Sequence, residues 1–381
     1  MKILFVDDEQ MILDGIERNL FDSDWEVEVA CGGEEALEML ADEDFDVIVS
    51  DMLMPKINGV ELLSEASKIQ PHLVKIVLSG HADQDMSMQA GFVAHQWLDK
   101  PCDEKVLMET LSHIEEGLAN QPNHSIKKAV SNANVLPTPP VTFTKIKKIL
   151  SNDGENLDGV ADLISQDTPL TAKVLQLTNS SFFSRGKTIY DVREAIVRLG
   201  VELVNSIVLL TETYANLPNN KDINFIEEQE KCLLISSLVV HMVSPEQREA
   251  AILTALLHQI GKLLLLQVFP EKAEQYSGIL KANSYSELKE LEEEVFDTNH
   301  GKVGAYLLFL WGFPDEIVEG VAKHQDKEHL INSDFGISAA VFLSHMLIER
   351  KKIDDDFVEE LKITESLSKW EKIANQILSD A

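Results

Sequence analysis

Four short apolar runs in the first hundred residues limit the fold most, because each has the length of a buried strand and each ends in polar side chains. They cover residues 2–6, 45–50, 74–78 and 94–98, and three of them are rich in Val and Ile. Amphipathic helical patterns separate the runs. Strands that alternate with helices of this length predict an α/β fold with a doubly wound parallel sheet.

Chemically active side chains follow these runs in a fixed order. Asp7 and Asp8 follow the first run, Asp51 the second, Ser79 the third, and Lys100 comes shortly after the fourth. The carboxyl ends of parallel strands meet at one edge of a sheet, which is where such folds bind ligands. Three clustered carboxylates favour a hard cation such as Mg²⁺. A metal-bound carboxylate can attack phosphorus, while a lysine and a hydroxyl hold the phosphoryl oxygens.

Residues 1–120 resemble the receiver domain of two-component response regulators, which has a five-stranded parallel sheet. The resemblance implies that Asp51 is the phospho-acceptor and that Asp7 and Asp8 are the acidic metal-binding pair. Ser79 matches the hydroxyl that contacts phosphate, and Lys100 matches the lysine of the family. A sensor histidine kinase would be the phosphoryl donor, and Mg²⁺ the cofactor.

Three further expectations come from the same resemblance. The backbone carbonyl of Leu53 would complete the metal coordination, and the peptide bond between Lys100 and Pro101 would be cis. The aromatic switch position, three residues before the lysine, is Trp97. The family more often has Tyr or Phe there, so Trp97 is either a modified switch residue or a core aromatic.

The charge of the chain excludes several classes of partner. The net charge is −32, and residues 1–120 alone hold 27 Asp and Glu against 7 Lys and Arg. Nucleic acids and anionic membranes both need a cationic surface, so neither is an expected partner. No apolar run reaches the roughly 18 residues of a membrane span. The three cysteines lack CxxC spacing and indicate free thiols, so we expect a cytoplasmic protein.

Beyond residue 120 the sequence changes character. Residues 121–134 are polar and are predicted to be a linker, and a proline cluster at 137–140 leads into the next segment. Residues 135–381 have helical periodicity almost throughout, which predicts an all-α domain. One continuous helix is expected at 354–380. The acidic run 292–294 is expected to be a solvated helix face.

Several phrases of this helical half resemble the HDOD domain, a non-catalytic relative of the HD-type metal phosphohydrolases. They include Ile-Ser-Gln-Asp-Thr-Pro-Leu at 164–170, Ala-Ile-Val-Arg-Leu-Gly at 195–200, and Leu-Leu-His-Gln-Ile-Gly-Lys at 256–262. Residues 299–304 and 311–314, and the pair His324-Gln325, continue the resemblance. The implied fold is an HD-related helical domain.

The metal-binding dyad of active HD enzymes is altered in this sequence. It reads His258-Gln259, and a neutral amide is a poorer ligand for a hard cation than a carboxylate. Residues 227–232 contain no histidine where the resemblance places the first ligand, and no Gly-Tyr-Pro phrase follows. We therefore expect His258, Gln259, His300 and His324 to be relics of an HD-type site that holds no metal. Three histidines can nevertheless bind Zn²⁺ in other folds.

These observations predict a response regulator whose helical half controls a protein partner. A cyclic-di-GMP phosphodiesterase or cyclase is one candidate partner, and a homodimer is left open. One alternative is a residual metal-dependent phosphohydrolase or phosphodiesterase that uses His258, His300 and His324. Another is a phosphate sink in which the helical half is a scaffold.

Overall fold

The computed structural model describes residues 1–21, 23–79, 94–119, 140–152, 156–178, 189–215, 225–282 and 287–380. The chain divides into two compact units. The first consists of Met1–Lys145 together with Leu307–Gly312, and the second of Ile146–Tyr306 together with Phe313–Ala381. The predicted linker 121–134 lies outside the described residues, so the domain boundaries given above remain predictions.

The first unit is built on a five-stranded parallel sheet, as expected. Its strands are β1 (Lys2–Asp7), β2 (Glu26–Cys31), β3 (Val47–Asp51), β4 (Val74–Ser79) and β5 (Gln96–Asp99). Their order across the sheet is β2-β1-β3-β4-β5. In the register, Val6 pairs with Ser50 and Asp51 with Leu78, so the polar residues that end the strands lie at one edge.

Four described helices accompany this sheet: α1 (Gln10–Leu20), α2 (Gly33–Asp42), α3 (Gly59–Ile69) and α4 (Glu104–Ala119). One core cluster joins strands β1 and β3 to helices α2 and α3. Its members include Leu4, Leu40, Phe45, Ile48, Met52, Leu62 and Leu63, all at most 2% exposed. The central strands are almost completely buried. Their sequences are therefore continuously apolar and do not alternate between apolar and polar residues.

The helical half contains only helices among its described residues. They are α5 (Val141–Asn152), α6 (Leu157–Ser165), α7 (Thr168–Thr178), α8 (Val192–Leu199), α9 (Val201–Ala215), α10 (Phe225–Val239), α11 (Arg248–Leu257), α12 (Ile260–Val268), α13 (Ala273–Ala282), α14 (Leu288–Phe296), α15 (His300–Leu310), α16 (Asp315–Lys323), α17 (Lys327–Asn332), α18 (Ile337–Ile348), α19 (Asp355–Glu360) and α20 (Thr364–Asp380). The all-α class is confirmed.

The prediction of one continuous helix at 354–380 is wrong. Helices α19 and α20 are separate, because Lys362 adopts a left-handed backbone with φ 57°. A positive φ at a non-glycine residue ends the helical hydrogen-bond pattern. The sequence also did not predict α12 as a separate helix, because only two residues separate it from α11.

Helices α10, α11, α16 and α18 pack against one another and form the centre of the helical half. One stretch here, Pro245–Leu266, is long and apolar enough to cross a membrane, and 82% of its apolar window is buried inside the fold. A segment buried in the core of a folded protein has the same apolar composition as a membrane-spanning helix. This packing brings the C-terminal end of α11 next to the last turn of α18.

Candidate functional site

The edge of the sheet carries a compact acidic group with one lysine in it. Lys100 Nζ lies 2.7 Å from Asp51 Oδ1 and 2.8 Å from Asp7 Oδ2. Asp7 and Asp51 are buried and Asp8 is exposed. Ligand oxygens of these three aspartates lie within 4.8 Å of one another. The structure therefore brings together four of the predicted site residues.

The loop after Asp51 is fixed by close packing and by a helix cap. A Cβ on Gly59 would lie 2.2 Å from the carbonyl oxygen of Asp51, so no larger residue fits there. The Gly59 amide donates to the carbonyl of Met52 at 3.0 Å. Asn58 caps α3 by accepting a hydrogen bond from the backbone amide of Glu61. These contacts determine the position of the Asp51 backbone relative to α3.

Burial and charge act against each other at this site. Burial raises the pKa of Asp51, and the negative charge of Asp7 adds to this, although Lys100 opposes the shift. For Lys100 itself, burial would lower the pKa, but its hydrogen bonds to Asp51 and Asp7 outweigh that effect and raise it. Lys100 is therefore firmly cationic, and it holds the two buried carboxylates together.

The donor set fits a hard divalent cation. Three carboxylates face one ammonium group, which leaves a net negative charge in a partly buried place. Oxygen ligands, with Asp8 exposed on the solvent side, match the preference of Mg²⁺ for a few carboxylates and retained water. Asp7, Asp8 and Asp51 are the residues that would hold it.

The remaining receiver predictions have different outcomes. Ser79 ends β4 and Trp97 lies in β5, but their side chains lie outside the described part of the structure. Leu53 follows Asp51 on an exposed loop, and its role as a carbonyl ligand remains a prediction. The peptide bond between Lys100 and Pro101 is cis, as expected.

In the helical half, the predicted histidines meet in the core together with a fourth one. His258, His300 and His324 are fully buried, and His345 is 2% exposed. Ring centroids are 5.1 Å apart for His258 and His324, and 5.2 Å apart for His300 and His324. His345 from α18 lies beside His258, with its Nδ1 3.0 Å from His258 Nε2. We call these four residues the histidine cluster.

Three of the rings are oriented through their Nδ1 atoms. Nδ1 lies 2.7 Å from the carbonyl oxygen of Ala255 in His258, 2.6 Å from that of Val321 in His324, and 2.7 Å from Glu292 Oε2 in His300. All three partners accept hydrogen bonds, so these Nδ1 atoms carry the protons. Each Nε2 atom is then a lone-pair acceptor when its ring is neutral.

Glu292 corrects one prediction from the sequence. It was expected on a solvated face, yet it is fully buried and accepts hydrogen bonds from the His300 amide, the His300 ring and the Tyr276 hydroxyl. Its neighbours at i−4 and i+4, Leu288 and Phe296, are also buried. Helical periodicity within α14 could therefore have revealed it.

An ion-pair network adjoins the histidine cluster. Glu228 of α10 lies 3.3 Å from Lys262 and 3.1 Å from Lys231, measured between side-chain oxygen and nitrogen. Lys231 also lies 3.2 Å from Glu349, whose other oxygen is 3.4 Å from His345 Nε2. Neither Glu349 nor His345 belongs to a sequence motif. The only available signal was a histidine within the apolar run of α18.

Comparisons with known proteins identify both halves. A response regulator receiver domain matches residues 3–112, and an HDOD domain matches residues 136–327, just over half of the chain. The transcriptional regulatory protein YesN of Bacillus subtilis, itself uncharacterized, is 32% identical over 34% of this chain and 36% of its own length. The response regulator MprA of Mycobacterium leprae is 30% identical over 37% of this chain and 62% of its own length.

A solved receiver domain from Clostridium thermocellum is 35% identical and covers 30% of this chain and 92% of its own, with a TM-score of 0.28. The chain thus spans about a third of the length of YesN and about three-fifths of the length of MprA. The HDOD match contains His258, His300 and His324 but ends before His345. The chain belongs to the HDOD family and carries a response regulator receiver domain in its first 112 residues.

Proposed function

We propose that this protein is a response regulator in which a histidine kinase phosphorylates Asp51 and the HDOD domain then binds or releases a protein partner. The observation that carries the proposal is Lys100, which joins the buried carboxylates of Asp51 and Asp7 at 2.7 and 2.8 Å. That arrangement supplies a nucleophilic carboxylate, a cation for phosphoryl oxygens and a place for Mg²⁺.

The phosphoryl transfer would proceed as an in-line displacement. A carboxylate oxygen of Asp51 would form a bond to phosphorus while the bond between phosphorus and the donor nitrogen breaks, and the electron pair of that bond returns to the donor imidazole. When bound by Asp7, Asp8 and Asp51, Mg²⁺ supplies charge neutralisation. Lys100 would exchange part of its contact with Asp51 for a phosphoryl oxygen, and the Ser79 hydroxyl would donate to another.

The output is proposed to be a protein contact. In the HD-type dyad the second residue is Gln259, whose amide nitrogen lies 3.4 Å from His345 Nδ1. The negative charge of the chain disfavours nucleic-acid binding, and a cytoplasmic location agrees with a receiver domain. A cyclic-di-GMP enzyme and a second copy of the chain are candidate partners.

A residual phosphohydrolase is the second candidate function, because the predicted histidines do converge in the core. Their rings are fully buried, however, and a phosphoester would need an open path to them. Hydrolysis of cyclic di-GMP or a model phosphodiester by purified protein, lost in His258→Ala, would favour this function.

Affinity capture tests the main proposal. The full chain would be phosphorylated with acetyl phosphate or mimicked with beryllofluoride, and proteins retained by it would be compared with those retained by Asp51→Ala. The proposal expects at least one partner whose retention depends on both the treatment and Asp51. Identical sets under all conditions, from protein shown by mass spectrometry to be phosphorylated, would support the phosphate-sink alternative.

A further inference from the structure

A cavity of about 410 Å³ opens on the surface of the helical half where helices α17, α18 and α19 meet. Its floor is apolar and consists of Phe342 and Met346 from α18 and Phe357 from α19, which are at most 9% exposed. The rings of Phe342 and Phe357 meet edge to face, with their centroids 5.4 Å apart. We call this feature the α18–α19 cavity. Its floor lies beyond residue 327, where the HDOD match ends. Its volume is that of a binding pocket, and the flexible methionine can adapt to an apolar side chain.

Charged side chains surround this floor, and most of them are acidic. The acidic members of the lining are Asp354, Asp355, Asp356 and Glu360, and the basic members are Lys327 and Lys352. None of these six makes an ion pair with another described residue, so their charges are available to a partner. The exposed residues Arg350 and Lys351 follow α18 but do not line the cavity. A positively charged group that enters the cavity therefore meets carboxylates on the α19 side.

The stability of α19 does not explain its acidic side. Asp356 and Glu360 lie four residues apart, so they are neighbours on one side of the helix, where two like charges are destabilising. Glu360 is also the last residue of α19, which has no basic residue in its last turn. A negative charge at that end opposes the helix dipole. Because this pair destabilises the helix and yet lines the cavity, it has the properties of a site for a positively charged group.

We propose that the α18–α19 cavity is the place where the helical half binds its protein partner. A segment of the partner would insert one apolar side chain onto Phe342, Met346 and Phe357, and it would place a lysine or arginine beside Asp356 and Glu360. Apolar anchors that fill pockets dominate the affinity of protein interfaces, and charges at the rim add specificity. The inference rests on the proposed function, because it gives the proposed partner contact a location. A metal ion alone would use the carboxylates but would leave the apolar floor uncovered.

Selection from a library of random short peptides tests this site. The library, displayed on phage, would be selected on the immobilised full chain in the presence of Mg²⁺. In parallel it would be selected on Asp356→Lys/Glu360→Lys, the charge-reversed variant, and on Glu365→Lys/Glu371→Lys. The second double variant is the matched control, because it makes the same change of charge at exposed positions of α20. Each selection would be repeated with beryllofluoride and with Asp51→Ala.

The selected peptides should carry a lysine or arginine close in sequence to an apolar side chain. Synthetic copies, measured by fluorescence anisotropy, should bind the wild type and the control variant at least about tenfold more tightly than the charge-reversed variant. Equal affinity for the two double variants would overturn the inference. So would selected sequences that lack basic residues, or a selection that enriches no peptide on the wild type.

Methyl NMR on the full chain, labelled with ¹³C-methyl methionine, locates the bound peptide. The signal of Met346, assigned with Met346→Leu, should shift when the peptide is added, whereas that of Met52 in the receiver core should not. A Met346 signal that does not move would contradict the proposed location. Peptide binding that is the same with beryllofluoride and in Asp51→Ala would support the site and contradict only its control by phosphorylation, so the two proposals fail separately.

Discussion

Lys100 Nζ lies 2.7 Å from Asp51 Oδ1, and the same ammonium group reaches Asp7 at 2.8 Å. Lys100 follows β5, whereas Asp51 ends β3 and Asp7 ends β1. Neither of these two strands is a neighbour of β5, because β4 lies between β5 and β3. The lysine side chain thus crosses the edge of the sheet, and its charge is what allows two buried carboxylates to lie close together. Predictions for the receiver half follow from this contact.

Replacement of Lys100 by methionine should slow phosphorylation of Asp51. Without the ammonium group, the developing charge on the phosphoryl oxygens loses its nearest cation, so we expect at least a tenfold lower rate with acetyl phosphate, or about 1.4 kcal/mol in the barrier. Intact mass spectrometry against time measures the rate. Lys105→Met is the control, since that side chain is 81% exposed. Equal phosphorylation rates for the two variants would mean that Lys100 has no role in phosphoryl transfer.

Loss of one carboxylate should weaken Mg²⁺ binding. Asp8 is the exposed member of the acidic group, and Asp8→Asn keeps its shape while removing its charge. We expect Mg²⁺ to raise the melting temperature of the wild type, since a ligand that binds only the folded state stabilises it, and to have a much smaller effect on the variant. Asp44→Asn, at an exposed position, should respond like the wild type. An unchanged response in Asp8→Asn would place the ion elsewhere.

Gly59→Ala should destabilise the receiver half and disturb the acceptor loop. The added Cβ would meet the Asp51 carbonyl oxygen at 2.2 Å, so backbone must move. We expect a loss of about 2 kcal/mol or more in unfolding free energy by urea titration, together with slower phosphorylation. Gly15→Ala, in the middle of α1 with nothing within 4 Å of the new carbon, should instead be neutral or gain up to about 1 kcal/mol. Similar effects at both positions would contradict the packing argument.

Stability of the helical half should fall when the pH drops below about 6.5. His258, His324 and His345 are buried with lowered pKa values, so the unfolded chain binds more protons than the folded one in this range. The unfolding free energy therefore decreases by about 1.4 kcal/mol per pH unit for each proton, or at most about 4 kcal/mol per unit for three. Glu228 and Glu349 act in a separate window, below their ordinary pKa near 4.5.

Urea unfolding followed by circular dichroism at pH 7.5, 6.5 and 5.5 would measure this slope. His72→Gln is the control, because His72 is exposed and should leave the slope unchanged. A free energy that stays constant between pH 7.5 and 5.5 would contradict the prediction, because it would mean that the three rings have the same pKa in the folded and the unfolded protein. A free energy that increases as the pH falls would mean that the rings are protonated in the folded protein.

The proximity of Asp7, Asp8, Asp51 and Lys100 could be predicted from the sequence, because these residues follow strands. An apolar run followed by a polar residue specifies both a strand and the edge where it ends, so the sequence alone predicts that Asp7, Asp51 and Lys100 lie together. Strand β2 gave a weaker signal, since its residues Glu26 and Glu28 interrupt the apolar pattern at a sheet margin.

The helical half was less predictable at the level of contacts. His345 and Glu349 belong to no motif, and they reach the cluster only because α18 packs against α10 and α11. Glu292 has the same side chain as Glu293 and Glu294, and only its position on the helix, between the buried residues Leu288 and Phe296, distinguishes it. Helix packing decides such partners, and a single sequence carries little information about it.

Hydrogen exchange tests the central claim most directly. The full chain with Mg²⁺ would be compared with and without beryllofluoride, and the same comparison would be made with Asp51→Ala. We predict protection changes that extend from the receiver half into residues 135–325 and that disappear in the variant. Changes confined to residues 50–100, or changes in the helical half that persist without Asp51, would contradict control of the HDOD domain by phosphorylation.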